Sequence, residues 1–322
     1  MLVSAVVLVF VLGTLGGTSA ARGAGRSSTT GVVVIQTQLG LSNGTAAATG
    51  MVLSSSGEVL TNNHVVRGAT QIRVRVPATG RSYGARVLGY SLSADVALLE
   101  LTGASGLDTV SLGNSSTVGL GDDVTAVGNA GGTGRLTTKA GSITGVGRTI
   151  TVGDERARLT HLLETDAGLR PGDSGGPLLD GAGRVIGMSA AASLELGSRT
   201  TGSDGYAIPI NRAMTVARQI ERSDSSASVH VGPTPFLGIT VASSRLSGVV
   251  VASVKAGSPA ARAGLETGYV IVSFNGNAVR SYPKLVARLL RWHPGDTVRI
   301  AWVDGSGTRD TAVVTLTSGP PQ

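Results

Sequence analysis

The 322-residue chain contains no cysteine. Disulfides, a thiolate nucleophile and any Cys-based zinc site are therefore excluded, and the redox compartment is left open. Aromatic residues make up only 3% of the chain and charged residues 15%. No basic run is interleaved with aromatics, which argues against nucleic acid as a partner even at a formal net charge of +7. That charge reads as a basic soluble surface, with attraction to anionic lipid or envelope polymers as the second reading. No Walker-type glycine-rich stretch ends in Gly-Lys-Ser or Gly-Lys-Thr, so no ATP site is evident. Only 4 histidines occur, and none stands at a spacing that suits a metal. Neither cofactor nor metal is expected.

Glycine, by contrast, is abundant, at 48 residues, while 41% of the chain is hydrophobic. Glycine at that density without a strict period implies tight turns between short strands. The hydrophobic content argues against disorder. From Gly31 onward short β-prone runs recur, among them Val32–Ile35, Gly50–Leu53, Glu58–Leu60, Gln71–Val76, Ala85–Leu88, Val96–Leu101, Asp123–Val127, Leu162–Thr165, Arg184–Ser189 and Tyr206–Ile208. Such a series predicts a sandwich or a pair of barrels. Asn211–Arg222 alone in this half shows a helical period, through Met214, Val216, Ala217 and Ile220.

The domain organisation follows from these shifts. Residues 1–21 hold an apolar run, Leu2–Leu15, ending in small residues like those of a signal-peptidase site, and read as a signal peptide or an N-terminal membrane anchor. No Lys or Arg precedes the run while Arg22 and Arg26 follow it, which opposes outward passage of the C-terminal side unless translation starts upstream of Met1. Residues 22–30 read as a linker, 31–222 as a first domain, 223–235 as a second linker with two prolines, and 236–318 as a second domain. The second domain has strands near Leu237–Val241, Val249–Val254, Tyr269–Phe274, Thr297–Val303 and Thr311–Leu316. One helix in it starts at an N-cap Ser281, with Pro283 in its first turn and an apolar face through Leu285 and Leu289.

The most informative stretch is Gly172-Asp173-Ser174-Gly175-Gly176-Pro177. It places a serine among residues with almost no side chains, so backbone N–H groups are free to face a reacting oxygen. A serine hydroxyl is a weak nucleophile without a base. His64, in Thr61-Asn62-Asn63-His64-Val65-Val66, and Asp95, heading Val96-Ala97-Leu98-Leu99, supply the rest. Their order along the chain, His then Asp then Ser, is that of chymotrypsin. A histidine at a strand end is usually a core residue; the carboxylate and the glycine-flanked serine reverse that judgement here. Asp166 competes for the orienting role, but it lies 8 residues from Ser174 and is better placed to hold the loop. In this reading Ser174 attacks a peptide carbonyl, His64 takes its proton, and Asp95 fixes the imidazole tautomer. The oxyanion hole falls to the Gly172-Asp173-Ser174 backbone.

These stretches resemble the HtrA/Deg family of trypsin-like serine proteases with a C-terminal PDZ domain. The likeness runs in order through Gly57–Val66, Asp95–Leu99, Ala126–Asn129, Glu164–Ala167, Pro171–Leu178, Gly187 and Ala207–Pro209. It implies a mostly β fold: a chymotrypsin-like double β-barrel with the triad between the barrels, followed by a small α+β PDZ domain. Ser258–Leu265, Gly268 and Val270–Gly276 resemble the PDZ core, and Phe236-Leu237-Gly238-Ile239 its carboxylate-binding loop. A substrate C-terminus would then add as a strand beside Gly238–Val241, with its last side chain against the Leu285/Leu289 helix face; that face packing the domain core is the alternative. Tyr269 stands where the family usually has Asp. Trypsin carries an Asp six residues before the nucleophile, where this chain has Gly168; with Gly187, Met188, Ser189, Ala190 and Ala191 this implies a small apolar pocket selecting Val, Ala or Leu.

Four departures stand out. Asp173 replaces the family's Asn, with little loss of activity expected. Asn129–Gly134 is glycine-rich where the family has Pro and an aromatic. The insertion near Ser42–Ala46 is short, which argues against large cages. No aromatic lies between Arg22 and Arg81, which argues against the family's trimer and leaves a homo-oligomer of another kind open. The resemblance implies an ATP-independent endopeptidase of unfolded or damaged proteins, secreted or membrane-anchored outside the cytoplasm. Its rival is a PDZ-containing holdase or scaffold with a latent protease site.

Overall fold

The computed structural model describes residues 28–40, 44–152, 157–190, 205–242 and 247–322. The apolar segment at residues 1–21, most of the first linker, part of the Ser42–Ala46 insertion and Ala191 lie outside the described residues. Among the described residues no helix is long and apolar enough to cross a membrane.

Six strands make the first barrel: β1 (Val32–Leu39), β2 (Gly44–Val52), β3 (Glu58–Thr61), β4 (Gln71–Arg75), β5 (Ser82–Ser91) and β6 (Val96–Leu101). They pair in the order β5-β4-β1-β2-β3-β6, and β6 closes on β5. Six more make the second: β7 (Asp123–Gly128), β8 (Thr137–Val152), β9 (Ala157–Thr165), β10 (Pro177–Leu179), β11 (Val185–Ala190) and β12 (Gly205–Pro209). These close in the order β10-β11-β12-β9-β8-β7. Closure gives each of these twelve strands a neighbour on both sides. Two short helices complete this part, α1 (Asn63–Val66) and α2 (Ile210–Glu221).

Strand periodicity explains why Val96–Leu99 reads as continuously apolar. Successive side chains point to opposite faces. Ala97, Leu99 and Leu101 join Val33, Ile35, Val59 and Tyr90 in the first barrel's core. Val96 and Leu98 instead join Met51, Leu60, Val127, Met188 and the apolar face of α2 in a core shared by both barrels. Val124, Ala126, Ile143, Leu163, Leu178 and Ile186 fill the second barrel. The site described below lies along the seam between the two barrels.

Beyond α2 the chain forms β13 (His230–Val231), which pairs with β5 of the first barrel, and β14 (Thr234–Phe236). The segment 223–235, read from sequence as a linker, thus contains an added barrel strand. A sheet follows in the order β15 (Ile239–Ala242), β16 (Val249–Val254), β17 (Val270–Phe274), β19 (Thr297–Val303), β20 (Arg309–Thr315), with β18 (Asn277–Ala278) on β17. The helices α3 (Pro259–Arg262) and α4 (Tyr282–Leu289) cover it, and β21 (Thr317–Gly319) pairs with β14. Ser258 caps α3 by accepting the Ala261 N–H. Ser281 is the N-cap residue of α4, but its side chain makes no capping hydrogen bond. The fold is mostly β, a chymotrypsin-like double barrel followed by a PDZ domain, as the resemblance implied.

Candidate active site

Asp95 precedes β6 and adopts φ 54°, a left-handed backbone conformation that few residues other than Gly, Asn and Asp tolerate. From there its carboxylate grips His64 twice. Oδ1 accepts the His64 backbone N–H at 2.9 Å, and Oδ2 meets His64 Nδ1 at 2.8 Å. Asn62, the residue before α1, donates its side-chain amide to the Asp95 carbonyl at 3.0 Å. The imidazole is therefore fixed at its Nδ1 edge and through its own backbone. The Asp95 side chain is 9% exposed and that of His64 38%, so the carboxylate is shielded while the ring is partly exposed.

Ser174 is buried in the loop between β9 and β10, with its carbonyl accepting the Thr49 N–H at 2.9 Å. Arg170-Pro171-Gly172-Asp173 forms a turn closed by Asp173 N–H to Arg170 O at 3.0 Å. Pro at its second position and Gly172 at φ 97° at its third are the type II arrangement. The Pro171 carbonyl accepts the Gly131 N–H at 2.8 Å. Carbonyl and N–H of a trans peptide point opposite ways, so this bond turns the Gly172 N–H away from Gly131. That N–H donates to no group among the described residues, and a cleft of about 630 Å³ lined in part by Gln36, Gln38, Arg73 and Gly131 runs alongside. The Asp173 N–H, included in the hole from sequence, is instead spent on closing the turn.

The glycines are required by close approach. A Cβ at Gly172 would sit 2.1 Å from the Asn129 carbonyl oxygen, and one at Gly175 2.1 Å from that of Thr49. Thr49, on β2, was not singled out from sequence. Its hydroxyl donates to Gly172 O at 2.7 Å and accepts the Asn129 N–H at 2.9 Å. A buried threonine in a strand gives no local signal of such a role. Lys139 was also missed; its ammonium lies 2.5 Å from Asp173 Oδ2 and donates to Gly168 O at 3.0 Å.

Other sequence candidates sit elsewhere. Asp166 exchanges hydrogen bonds with Ser142 of β8, its Oδ1 accepting the Ser142 N–H at 2.6 Å. His161 lies on β9 with its ring against Thr160, and His293 lies near Asp296. Of the pocket residues, Gly187, Ser189 and Ala190 lie on β11, but the Met188 side chain is packed in the core shared by the barrels. In the PDZ domain Gly238 takes φ 85°, and its carbonyl accepts the Lys255 N–H at 2.8 Å. Phe236 belongs to β14, Leu237 is buried in the domain core, and Ile239 opens β15, a strand that among the described residues pairs with β16 alone. Leu285 and Leu289 are buried in that same core, so the packing alternative describes them. Among the described residues no group of acidic, histidine or cysteine side chains is placed to hold a metal.

Residues 48–188 match the trypsin-like peptidase domain family and residues 235–315 the PDZ domain family. A probable periplasmic serine endoprotease DegP-like from Hahella chejuensis is 32% identical over 281 residues, covering 83% of this chain and 56% of that protein. The serine protease Do-like HtrA of Lactococcus lactis is 31% identical over 314 residues, covering 87% of this chain and 75% of that protein. The solved structure of the HtrA-type protease AlgW with a tripeptide is 28% identical and superimposes with a TM-score of 0.53, over 91% of this chain and 95% of that one. The chain spans about half the length of several curated relatives that it matches. With both domain types matched in order and relatives aligned across them, the chain belongs to the HtrA/Deg family of trypsin-like serine proteases with a PDZ domain.

Proposed function

We propose that the protein is a serine endopeptidase that cleaves unfolded or damaged proteins outside the cytoplasm without ATP. The observation that carries this reading is the double grip of Asp95 on His64 beside a glycine-bounded serine loop. Asp95 on Nδ1 leaves the imidazole Nε2 to accept the Ser174 hydroxyl proton as Oγ attacks the scissile carbonyl. The carbonyl oxygen becomes an oxyanion, and the Gly172 and Ser174 N–H groups stabilise it. His64 then returns the proton to the leaving amine, and water repeats the sequence to release the acyl group. Among the described residues, Gly168 and the β11 strand carry no acidic side chain, which fits cleavage after Val, Ala or Leu. The edge of β15 beside the Gly238 loop, which pairs with no strand among the described residues, fits a C-terminal peptide added as a strand. The curated relatives named periplasmic support an extracytoplasmic setting.

The test is casein digestion combined with fluorophosphonate labelling. Wild-type protein should degrade casein and carry the label on Ser174, and Ser174→Ala should do neither. Equal degradation by both would overturn the reading, whereas no degradation by either would favour the holdase. A peptide library should show small or medium apolar residues before the cleaved bond; a preference for Lys or Arg would overturn the pocket assignment.

A further inference from the structure

We infer that Lys139 is a positioning residue for the reaction, a resident counter-ion that holds the nucleophile loop in its working shape. The inference rests on the protease reading above. Asp173 is 2% exposed and immediately precedes Ser174. Its Oδ2 takes both the Lys139 ammonium at 2.5 Å and the Arg170 N–H at 2.9 Å, while its Oδ1 has no hydrogen-bond partner among the described residues. A buried carboxylate with one oxygen unsatisfied depends on its counter-charge, and removing that partner leaves an uncompensated charge. Among the described residues Lys139 is the one cation paired with it.

The position of Lys139 gives the pair its consequence. Lys139 lies on β8 opposite Ala126 of β7, inside a closed barrel. From that rigid base its ammonium also binds the Gly168 carbonyl at 3.0 Å. One cation thus ties the two ends of segment 168–173 to the barrel, with the oxyanion turn between them. Without it the Asp173 carboxylate is stabilised by swinging toward water. That motion breaks its bond to the Arg170 N–H and carries the Gly172 and Ser174 peptides out of register. An Asn at this position would need no counter-charge. Asp173 and Lys139 are therefore interdependent.

The experiment compares wild type, Lys139→Met, Lys139→Arg, Asp173→Asn, the Lys139→Met/Asp173→Asn double variant and Ser174→Ala. Steady-state cleavage of a quenched peptide is read alongside amide hydrogen exchange over residues 168–176. Lys139→Met should lower kcat roughly 10- to 100-fold with KM little changed, since the loss falls on oxyanion positioning. It should also speed exchange in that segment. The double variant should recover both readouts to the level of Asp173→Asn alone, and Lys139→Arg should keep most activity. A Lys139→Met protein that fails to fold beside a double variant that folds and cleaves would show the same dependence. Wild-type kcat and exchange in Lys139→Met, or a defect equally large in the double variant, would overturn the inference. If wild type and Ser174→Ala are equally inactive, the protease reading fails, and the exchange pattern alone decides whether the brace exists.

Discussion

Asp95 holds a histidine from a left-handed backbone position, and its two oxygens have separate tasks. Replacing it by Asn keeps the size but puts an amide beside Nδ1, which stabilises the tautomer that cannot accept the serine proton. Asp95→Asn should lower kcat by roughly 10⁴ with KM nearly unchanged, the size seen for this change in other serine proteases. Peptide hydrolysis measures it, and a loss below tenfold would show that Asp95 does not orient the base. Thr49→Val tests the second layer. It removes the hydroxyl shared by Gly172 O and Asn129 N, leaving two buried backbone groups unpartnered at about 1–3 kcal/mol each. Stability measured by urea unfolding should fall by that order, and kcat should fall with it because Gly172 carries the oxyanion turn. His64, Asp95 and Ser174 were legible because each stands in a local sequence frame. Thr49 and Lys139 were not, because their partners lie 123 and 34 residues away along the chain and only barrel closure brings them together.

At the level of elements, strands rich in β-branched or aliphatic residues were legible nearly to the residue. Val96–Leu101, Val249–Val254 and Thr297–Val303 coincide with β6, β16 and β19. The strand β8 was not read, although it is 16 residues long. Gly141, Gly145 and Gly147 interrupt it, and its register with β9 shifts three times. The first two glycines answer to packing: a Cβ at Gly141 would meet the Ala167 backbone at 2.6 Å, and one at Gly145 would meet the Arg148–Glu164 ion pair. A strand whose residues are chosen by its neighbours loses its own periodic signal. The short β10, only 3 residues long and directly following Gly175-Gly176, fails for want of length. The helix α2 was legible by its period, and its structural role follows from where its face lies. Ile220, 3% exposed, packs in the core shared by both barrels and against Gly89 of β5. Ile220→Ala should cost about 2–5 kcal/mol by leaving a cavity there. The change should appear in thermal unfolding of the whole protease unit. A melt unchanged from wild type would mean that α2 does not clamp the barrels.

In the whole molecule, the PDZ domain is seated on the first barrel through a histidine. His230 is 5% exposed on β13, its ring 5.3 Å from that of Tyr90 and 6.4 Å from that of His293. Its two ring nitrogens face the Leu290 and Pro233 carbonyls at 3.1 and 3.2 Å. Nearby, Leu290 packs against the first barrel's core, and the Asn63 amide, next to His64, donates to the Gln322 carbonyl at 3.0 Å. Burial pushes Tyr90 up to about 12, so it stays neutral throughout the working range. Burial likewise lowers His230 below its ordinary 6.5, an effect only partly offset by the two carbonyls and reinforced by His293. The unfolded chain therefore takes up a proton at His230 at a higher pH than the folded one does. Stability from neutral His230 is complete above about pH 6.5 and declines as pH falls toward and through the folded value, with a slope of at most about 1.4 kcal/mol per pH unit. Thermal melts from about pH 7.5 down to about pH 5, above the main carboxylate range, should show this decline. His230→Gln, which can still donate to one carbonyl but does not titrate, should flatten it. Because the ring sits where the domain meets the barrel, acid should loosen that contact before either barrel opens. Hydrogen exchange at β13 and at residues 288–293 should accordingly rise at pH 5 in the wild type and not in the variant. Equal acid sensitivity in both proteins would place the titrating group elsewhere.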